Sequence, residues 1–174
     1  YVPHDVYGLA KLMGGKKPFI DKLQMVFDEG LYDPANEPDI AYAYLFSYFK
    51  GEEWRTQKET QRLLDKYFTT KPDGIPGNDD TGTMSSWAIF NMIGFYPDCP
   101  GLPEYTLTTP VFNKVTIRLD PKWYKENELV IETNRTQPGA LYINKVLLNG
   151  KKFNKYHITH DELAHGKYLK FDLK

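Results

Sequence analysis

The amino-acid sequence predicts an α+β protein in which helices come first and antiparallel strands second. Three observations carry that prediction. Apolar residues recur with a helical period through most of positions 1–100, prolines crowd the stretch from Phe95 to Tyr105, and beyond it apolar and polar residues alternate. The sequence therefore divides into a helical segment, 1–100, and an antiparallel β region, 101–174.

In order along the chain, His4 and Asp5 stand where they cap a short helix carrying Val6, Leu9, Ala10 and Met13, which Gly14-Gly15 ends. Pro18 suits the first turn of a second helix, whose stripe is Phe19, Leu23, Val26 and Phe27 before Gly30, so a helical hairpin is expected. After a turn-rich stretch from Tyr32 to Pro38, Ile40, Tyr44, Leu45 and Tyr48 mark a third helix that stops before Gly51. A polar helix from Glu53 to Phe68 follows, with a weak stripe of Trp54, Leu64, Tyr67 and Phe68. Its Glu59 and Arg62 are spaced to pair, and most of its face is expected in solvent. Residues 69–82, TTKPDGIPGNDDTG, hold two prolines and three glycines and must loop. Met84, Trp87, Phe90, Asn91 and Ile93 resume a helix that Gly94 stops, with Trp87 read as packing.

In the β region Val115, Ile117 and Leu119 alternate with Thr116 and Arg118, and Leu129-Val130-Ile131 is a further strand. Ala140 to Leu148 and Lys151 to Phe153 form a hairpin about Asn149-Gly150, a pair that tolerates positive φ at both central positions of a type I′ turn. Leu169, Phe171 and Leu173 close the chain as a last strand.

Composition narrows the function classes. Lys plus Arg number 22 against 23 Asp plus Glu, so the net charge of -1 supplies no basic field for nucleic acid. No apolar run reaches the length of a membrane-spanning helix. The single cysteine, Cys99, offers neither an internal disulfide nor a thiolate cluster. The first residue is Tyr1 rather than Met, which marks the chain as an expected piece of a longer protein.

The loop Gly77-Asn78-Asp79-Asp80-Thr81-Gly82 concentrates the chemistry. Adjacent carboxylates at a helix start have an ordinary explanation, a cap in which Asp80 or Thr81 accepts an N–H bond from the first turn. The alternative is that the glycines and prolines fix the backbone so that one carboxylate serves as a general base or metal ligand. A calcium loop of helix–loop–helix type is excluded, because counting from Asp73, Asn78 or Asp79 puts Met84, Ile89 or Phe90 at the twelfth position. A second junction, Asn36-Glu37-Pro38-Asp39, reads as an N-capped helix start or as hard oxygen ligands of the kind that hold Ca²⁺. His157, His160 and His165 lack further metal-ligating partners and read as surface or turn residues.

The run DGIPGNDDTGTMSSWAIFNMIGFYPDCPGLPEYTLTTPVFNKVTI, with YVPHDVYGL, NEPDIAYAYLF, WRTQKETQ and YINKVLLNGKKFNKYHITHDEL, resembles glycoside hydrolase family 92. These are calcium-dependent, exo-acting, inverting α-mannosidases, and the likeness covers essentially the whole chain. The resemblance implies the C-terminal part of such an enzyme, with helical hairpins belonging to an α/α toroid in the parent. It implies Asp80 as the general base, Asn78 as a residue that helps hold the attacking water, and Glu37 and Asp79 as sugar contacts. Glu37 and Asn36 are implied as Ca²⁺ ligands, and a mannose-containing glycan, cut at a terminal α-1,2, α-1,3 or α-1,4 linkage with α-1,2 favoured, as the substrate. It also implies a periplasmic or extracellular location. Two departures stand out. The family's general acid, a Glu, lies upstream of Tyr1, so the remainder of the parent enzyme is an implied partner and the isolated chain is expected to be inactive. The His that follows the Asn-Glu-Pro motif in many relatives is absent from Asp39-Ile40-Ala41-Tyr42. The alternative reading is a non-catalytic module that is structural or binds carbohydrate and Ca²⁺ weakly.

Overall fold

The computed structural model describes residues 2–174, so Tyr1 of the opening motif lies outside the described residues. Helices α1 (Val6–Leu12) and α2 (Lys16–Asp28) form the expected hairpin. Asp5 caps α1 by accepting the Gly8 N–H at 2.8 Å, and Gly14 and Gly15 turn the chain with φ of 94° and 108°.

The third helix differs from expectation. A single α-turn, α3 (Glu37–Ile40), gives way to a 3₁₀ helix over Tyr42–Tyr48. A 3₁₀ helix aligns residues three apart. Here two of its three columns, Ala41-Tyr44-Ser47 and Ala43-Phe46-Phe49, are buried, while Tyr42, Leu45 and Tyr48 are half-buried. A segment enclosed on two sides by core satisfies a period of three better than 3.6.

Helix α4 (Glu53–Tyr67) packs along this 3₁₀ segment, and its polar face is not solvated as expected. Thr56, Gln57, Glu59 and Thr60 are all buried. Each finds a partner: Thr56 accepts from Ser47 Oγ at 2.9 Å, Gln57 accepts the Ile143 N–H at 2.9 Å, Glu59 takes Arg62 Nε at 2.6 Å, and Thr60 Oγ1 donates to the Thr56 carbonyl at 2.7 Å. Hydrogen bonding thus offsets the desolvation that pattern reading assumed would keep these groups in water. After the loop, a 3₁₀ turn (Asp80–Gly82) leads into α5 (Thr83–Ile93), which Gly94 ends at φ 109°. A side chain at Gly94 would also meet Pro110 Cγ at 2.6 Å.

The strands form two sheets. Strands β1 (Phe95–Tyr96), β2 (Glu104–Leu107) and β7 (His157–Thr159) make a small antiparallel sheet in the order β1-β2-β7 that the proline-rich sequence did not suggest. Strands β3 (Lys114–Arg118), β4 (Glu128–Arg135), β5 (Ile143–Leu148), β6 (Lys151–Phe153) and β8 (Tyr168–Leu173) form the larger one, ordered β3-β4-β8-β5-β6. Asn149 and Gly150 turn the β5–β6 hairpin with φ of 51° and 77°. The larger sheet is mixed rather than wholly antiparallel, because β8 inserts between β4 and β5 and runs parallel to β4. A short helix, α6 (His160–Ala164), opens with a capping box between Thr159 and Glu162.

One core joins α1, α2, the 3₁₀ helix, α4 and α5, with Trp87 stacked on Phe68 at 5.2 Å. A second core lies under the sheets and is built on Leu107, Ile131, Ile158, Leu169 and Phe171. Each such buried side chain stabilises the fold by about 1.5–3 kcal/mol. No helix among the described residues is long and apolar enough to cross a membrane.

Candidate functional site

The acidic loop is shaped by its backbone before its carboxylates enter. Gly74 closes a turn in which Thr69 N–H donates to its carbonyl at 2.9 Å, and Gly77 has φ 65°. A Cβ at Gly77 would stand 2.5 Å from the Cβ of Ala35. Glycine is therefore required there by both the positive φ and the contact. That contact brings the two junctions of interest together, since Ala35 immediately precedes Asn36-Glu37 and Gly77 immediately precedes Asn78-Asp79-Asp80.

The two acids of the pair do different things. Asp79 accepts the Ser85 N–H at 2.7 Å through Oδ1 and the Ser85 hydroxyl at 2.5 Å through Oδ2, while its carbonyl accepts the Thr83 N–H at 2.7 Å. The bonds from the Ser85 hydroxyl and amide hold its carboxyl below the usual carboxylate range. Asp79, rather than Asp80 or Thr81, is therefore the residue that caps α5. The residue at the N-cap position itself is Gly82, which has no side chain to do so. Asp80 is exposed, and its carboxylate makes no hydrogen bond or ion pair within the described residues. Only its main chain is engaged, its carbonyl accepting from Thr83 Oγ1 at 2.7 Å.

Directly after Asp80 the backbone enters a conformation that β-branched residues avoid. Thr81 has φ 60° and ψ 24°, and Gly82 follows at φ 85°. Left-handed geometry at a threonine costs about 1–2 kcal/mol and persists only where its surroundings dictate it. Anchored by Asp79 on one side and by this kink on the other, the Asp80 carboxylate is presented to solvent. Beside it lies an open pocket of about 250 Å³ lined by Thr81, Gly82, Thr83, Ser86, Phe90, Tyr96 and Pro97.

Asn36 and Glu37 lie exposed at the neighbouring junction. Asn36 occupies the N-cap position of α3, yet its side chain does not cap the helix; Nδ2 donates to Asp39 Oδ1 at 3.2 Å instead. Asp39 is the buried organiser that motif reading passed over. Its Oδ2 accepts the Asp33 N–H at 3.0 Å, and burial, followed by the Asp39 charge, pushes the Tyr42 hydroxyl pKa up. Its signal in the sequence was an acid three residues after Asn36. With the amide nitrogen tied to Asp39, the Asn36 carbonyl oxygen and the Glu37 carboxylate are the hard donors this junction offers a cation. Among the described residues no group of three or more His, Cys, Asp or Glu is placed to hold a metal ion. A Ca²⁺ ion takes about six to eight oxygens, so these residues fit part of a site and do not complete one.

Of the histidines, His160 sits between the hydroxyls of Tyr105 and Tyr124 at 2.9 and 3.2 Å, and His157 packs edge-on against Tyr48 at 5.1 Å. Cys99 is half-buried, its thiol donating to the Pro3 carbonyl at 3.1 Å.

Comparison with known proteins now bears on this geometry. The chain matches the model of the glycosyl hydrolase family 92 catalytic domain over residues 1–174. It is similar to a family 92 α-mannosidase of Bacteroides thetaiotaomicron, with 34% identity and a TM-score of 0.90 over 100% of this chain and 24% of that one. The structure of that enzyme in complex with mannoimidazole aligns with a TM-score of 0.89 at 32% identity, again over 100% of this chain and 24% of that one. An inverting family 92 mannosidase of the same organism gives 32% identity and a TM-score of 0.84 over 99% of this chain and 26% of its own. An uncharacterized secreted glycosidase of Arthroderma benhamiae is 30% identical over 173 residues, 99% of this chain and 22% of that protein. The chain thus spans about a quarter of the length of the relatives it matches. The α+β architecture and the match over the whole of this chain agree, and the chain belongs to glycosyl hydrolase family 92 as part of its catalytic domain.

Proposed function

We propose that this chain is the C-terminal part of an inverting α-mannosidase that releases terminal mannose from glycans, through α-1,2 linkages, in the periplasm or outside the cell. Asp80 is its general base. The observation that supports this reading is the contrast between the paired acids, in which Asp79 is consumed by Ser85 and Asp80 is held out unpaired beside the Asn36-Glu37 junction.

In this reading Asp80 takes a proton from water as that water attacks the anomeric carbon. Asn78, two residues earlier, orients the same water. Asp79 acts mainly through Asp80 by fixing the loop, and each of its oxygens keeps a lone pair for a sugar hydroxyl. Glu37 contacts the sugar, and with Asn36 it supplies part of a Ca²⁺ site completed by oxygens from the remainder of the parent enzyme. A Ca²⁺ ion held there would supply Lewis-acid coordination for sugar hydroxyls. The general acid comes from the same remainder, and inversion places it roughly 6.5–9.5 Å from the base so that a water fits between. The isolated chain is therefore inactive.

Two measurements on the full-length enzyme test this. Proton NMR of the first-formed product from an aryl α-mannoside is expected to show β-mannose, whereas α-mannose as the first product would overturn inversion. Chelation is expected to abolish turnover, with Ca²⁺ restoring it; full activity in chelator would remove the metal from the account.

A further inference from the structure

We propose that the groove between the start of α4 and strand β5 is a second carbohydrate-binding site, which holds a mannose-containing chain away from the acidic loop. The groove has a volume of about 490 Å³ and is lined by Glu53, Trp54, Gln57, Tyr142, Ile143, Tyr156 and Lys174. It sits at the N-terminal end of α4, while the acidic loop follows the C-terminal end of the same helix. That helix has 15 residues and so spans about 22 Å.

Trp54 is the first reason. It is 39% exposed, yet its indole is not loose. The Arg55 guanidinium lies 4.6 Å from the ring centroid, and Tyr142 meets the ring edge-to-face at 6.3 Å. Arg55 is itself fixed, donating to Glu52 Oε2 at 3.0 Å and to Gln24 Oε1 at 2.7 Å. An aromatic platform held in place before the ligand arrives spares the entropy of ordering it.

The second reason is the mixture of chemistries. A pyranose presents C–H faces that suit aromatic rings and hydroxyls that need polar partners. Trp54, Tyr142 and Tyr156 supply the rings. Glu53 engages the Gly51 N–H at 2.7 Å through Oε2, and its Oε1 has no hydrogen-bond partner among the described residues. Burial, and then the nearby Glu53, push the Tyr156 phenol pKa up, so it stays a neutral O–H donor. An apolar ligand would bury the Glu53 carboxylate unpaired, whereas sugar hydroxyls can donate to it.

The third reason is a rigid base. Gln57 is buried with its oxygen on the Ile143 N–H at 2.9 Å, and Tyr142 exchanges two backbone hydrogen bonds with Lys174 at 3.0 and 2.9 Å.

The choice of mannose rests on the proposed function, so the test keeps the two apart. The full-length enzyme is run by native affinity electrophoresis in gels containing soluble α-mannan or, as control, dextran, with turnover of an aryl α-mannoside followed in parallel. Trp54→Ala is expected to lower mannan association about tenfold, as for a central aromatic anchor. Trp54→Phe is expected to keep most of it, and aryl-mannoside kcat/KM is expected to stay within about twofold, since no interaction with the reacting centre is removed. Glu53→Gln, which keeps the side-chain shape, is expected to weaken retention about fivefold, because a neutral hydrogen bond replaces a charge-assisted one, and gives a second reading should Trp54→Ala fail to fold. Equal mannan retention by the wild type and these variants, or equal retention by mannan and dextran, would overturn the proposal. Absence of aryl-mannoside turnover in the wild type would refute the proposed function instead, and mannan retention is read independently of it.

Discussion

Asp79 and Asp80 are neighbours with the same side chain and opposite fates. Nothing in their sequence position distinguishes them, because the group that does so is Ser85, six residues beyond Asp79. Capping patterns are legible when the cap lies two or three residues before its partner. Here the 3₁₀ turn Asp80–Gly82 intervenes and Gly82 occupies the N-cap position, so the cap arrives from farther away. The loop as a candidate was legible in the sequence; which acid remained free was not. A pH dependence follows from the same contact. The Asp79 carboxyl is depressed in the folded protein by its bonds to Ser85, so the order it lends the loop is fully present above the unfolded carboxylate value, about 3.9. That order is lost as the pH falls through the lower folded value. Hydrogen exchange at the Ser85 amide is expected to stay protected near neutral pH and to lose protection selectively in acid; protection independent of pH down to global unfolding would contradict this.

At the scale of elements, the close approach of Gly77 to Ala35 decides whether the acidic loop and the Asn36-Glu37 junction stand side by side. In Gly77→Ala the new methyl meets the Ala35 Cβ at 2.5 Å, and the residue must also hold φ 65°. Full-length Gly77→Ala is expected to lose about 10²-fold in kcat/KM, the scale of a misplacement near 1 Å. Adding Ala35→Gly should restore part of that loss, because it removes the clash though not the φ penalty. No rescue would mean that the contact between the loops is immaterial. Elements were otherwise well marked in the sequence wherever a period and a stop coincided, as in α1, α2, α5 and the β5–β6 hairpin. They were misread where burial came from two sides. The 3₁₀ helix follows a period of three, and the polar residues of α4 are buried because tertiary partners satisfy them. Both are invisible to an analysis that equates polar with exposed.

At the scale of the whole molecule, the helical core and the sheets are tied by a few buried polar bonds. Gln57 of α4 accepts the Ile143 N–H, and the buried Asp98 accepts from Tyr48 Oη at 2.9 Å on one side and Thr106 Oγ1 at 2.6 Å on the other. Gln57→Ala leaves a buried N–H unpaired and is expected to cost about 1–3 kcal/mol in urea unfolding. A change under about 0.5 kcal/mol, the range of ordinary surface substitutions, would show that the joint carries little. The parallel pairing of β4 with β8 belongs to this scale as well. It requires the chain to return across the sheet after β7 and α6, and no local pattern records that route. The chain spans about a quarter of the length of the relatives it matches, so the decisive measurement of the proposed base uses the full-length protein. It is the kcat of Asp80→Ala on an aryl α-mannoside, compared with wild type at equal folding by circular dichroism. Loss of the base predicts a fall of about 10²–10⁴-fold with the fold intact, and an unchanged kcat would contradict the assignment of Asp80.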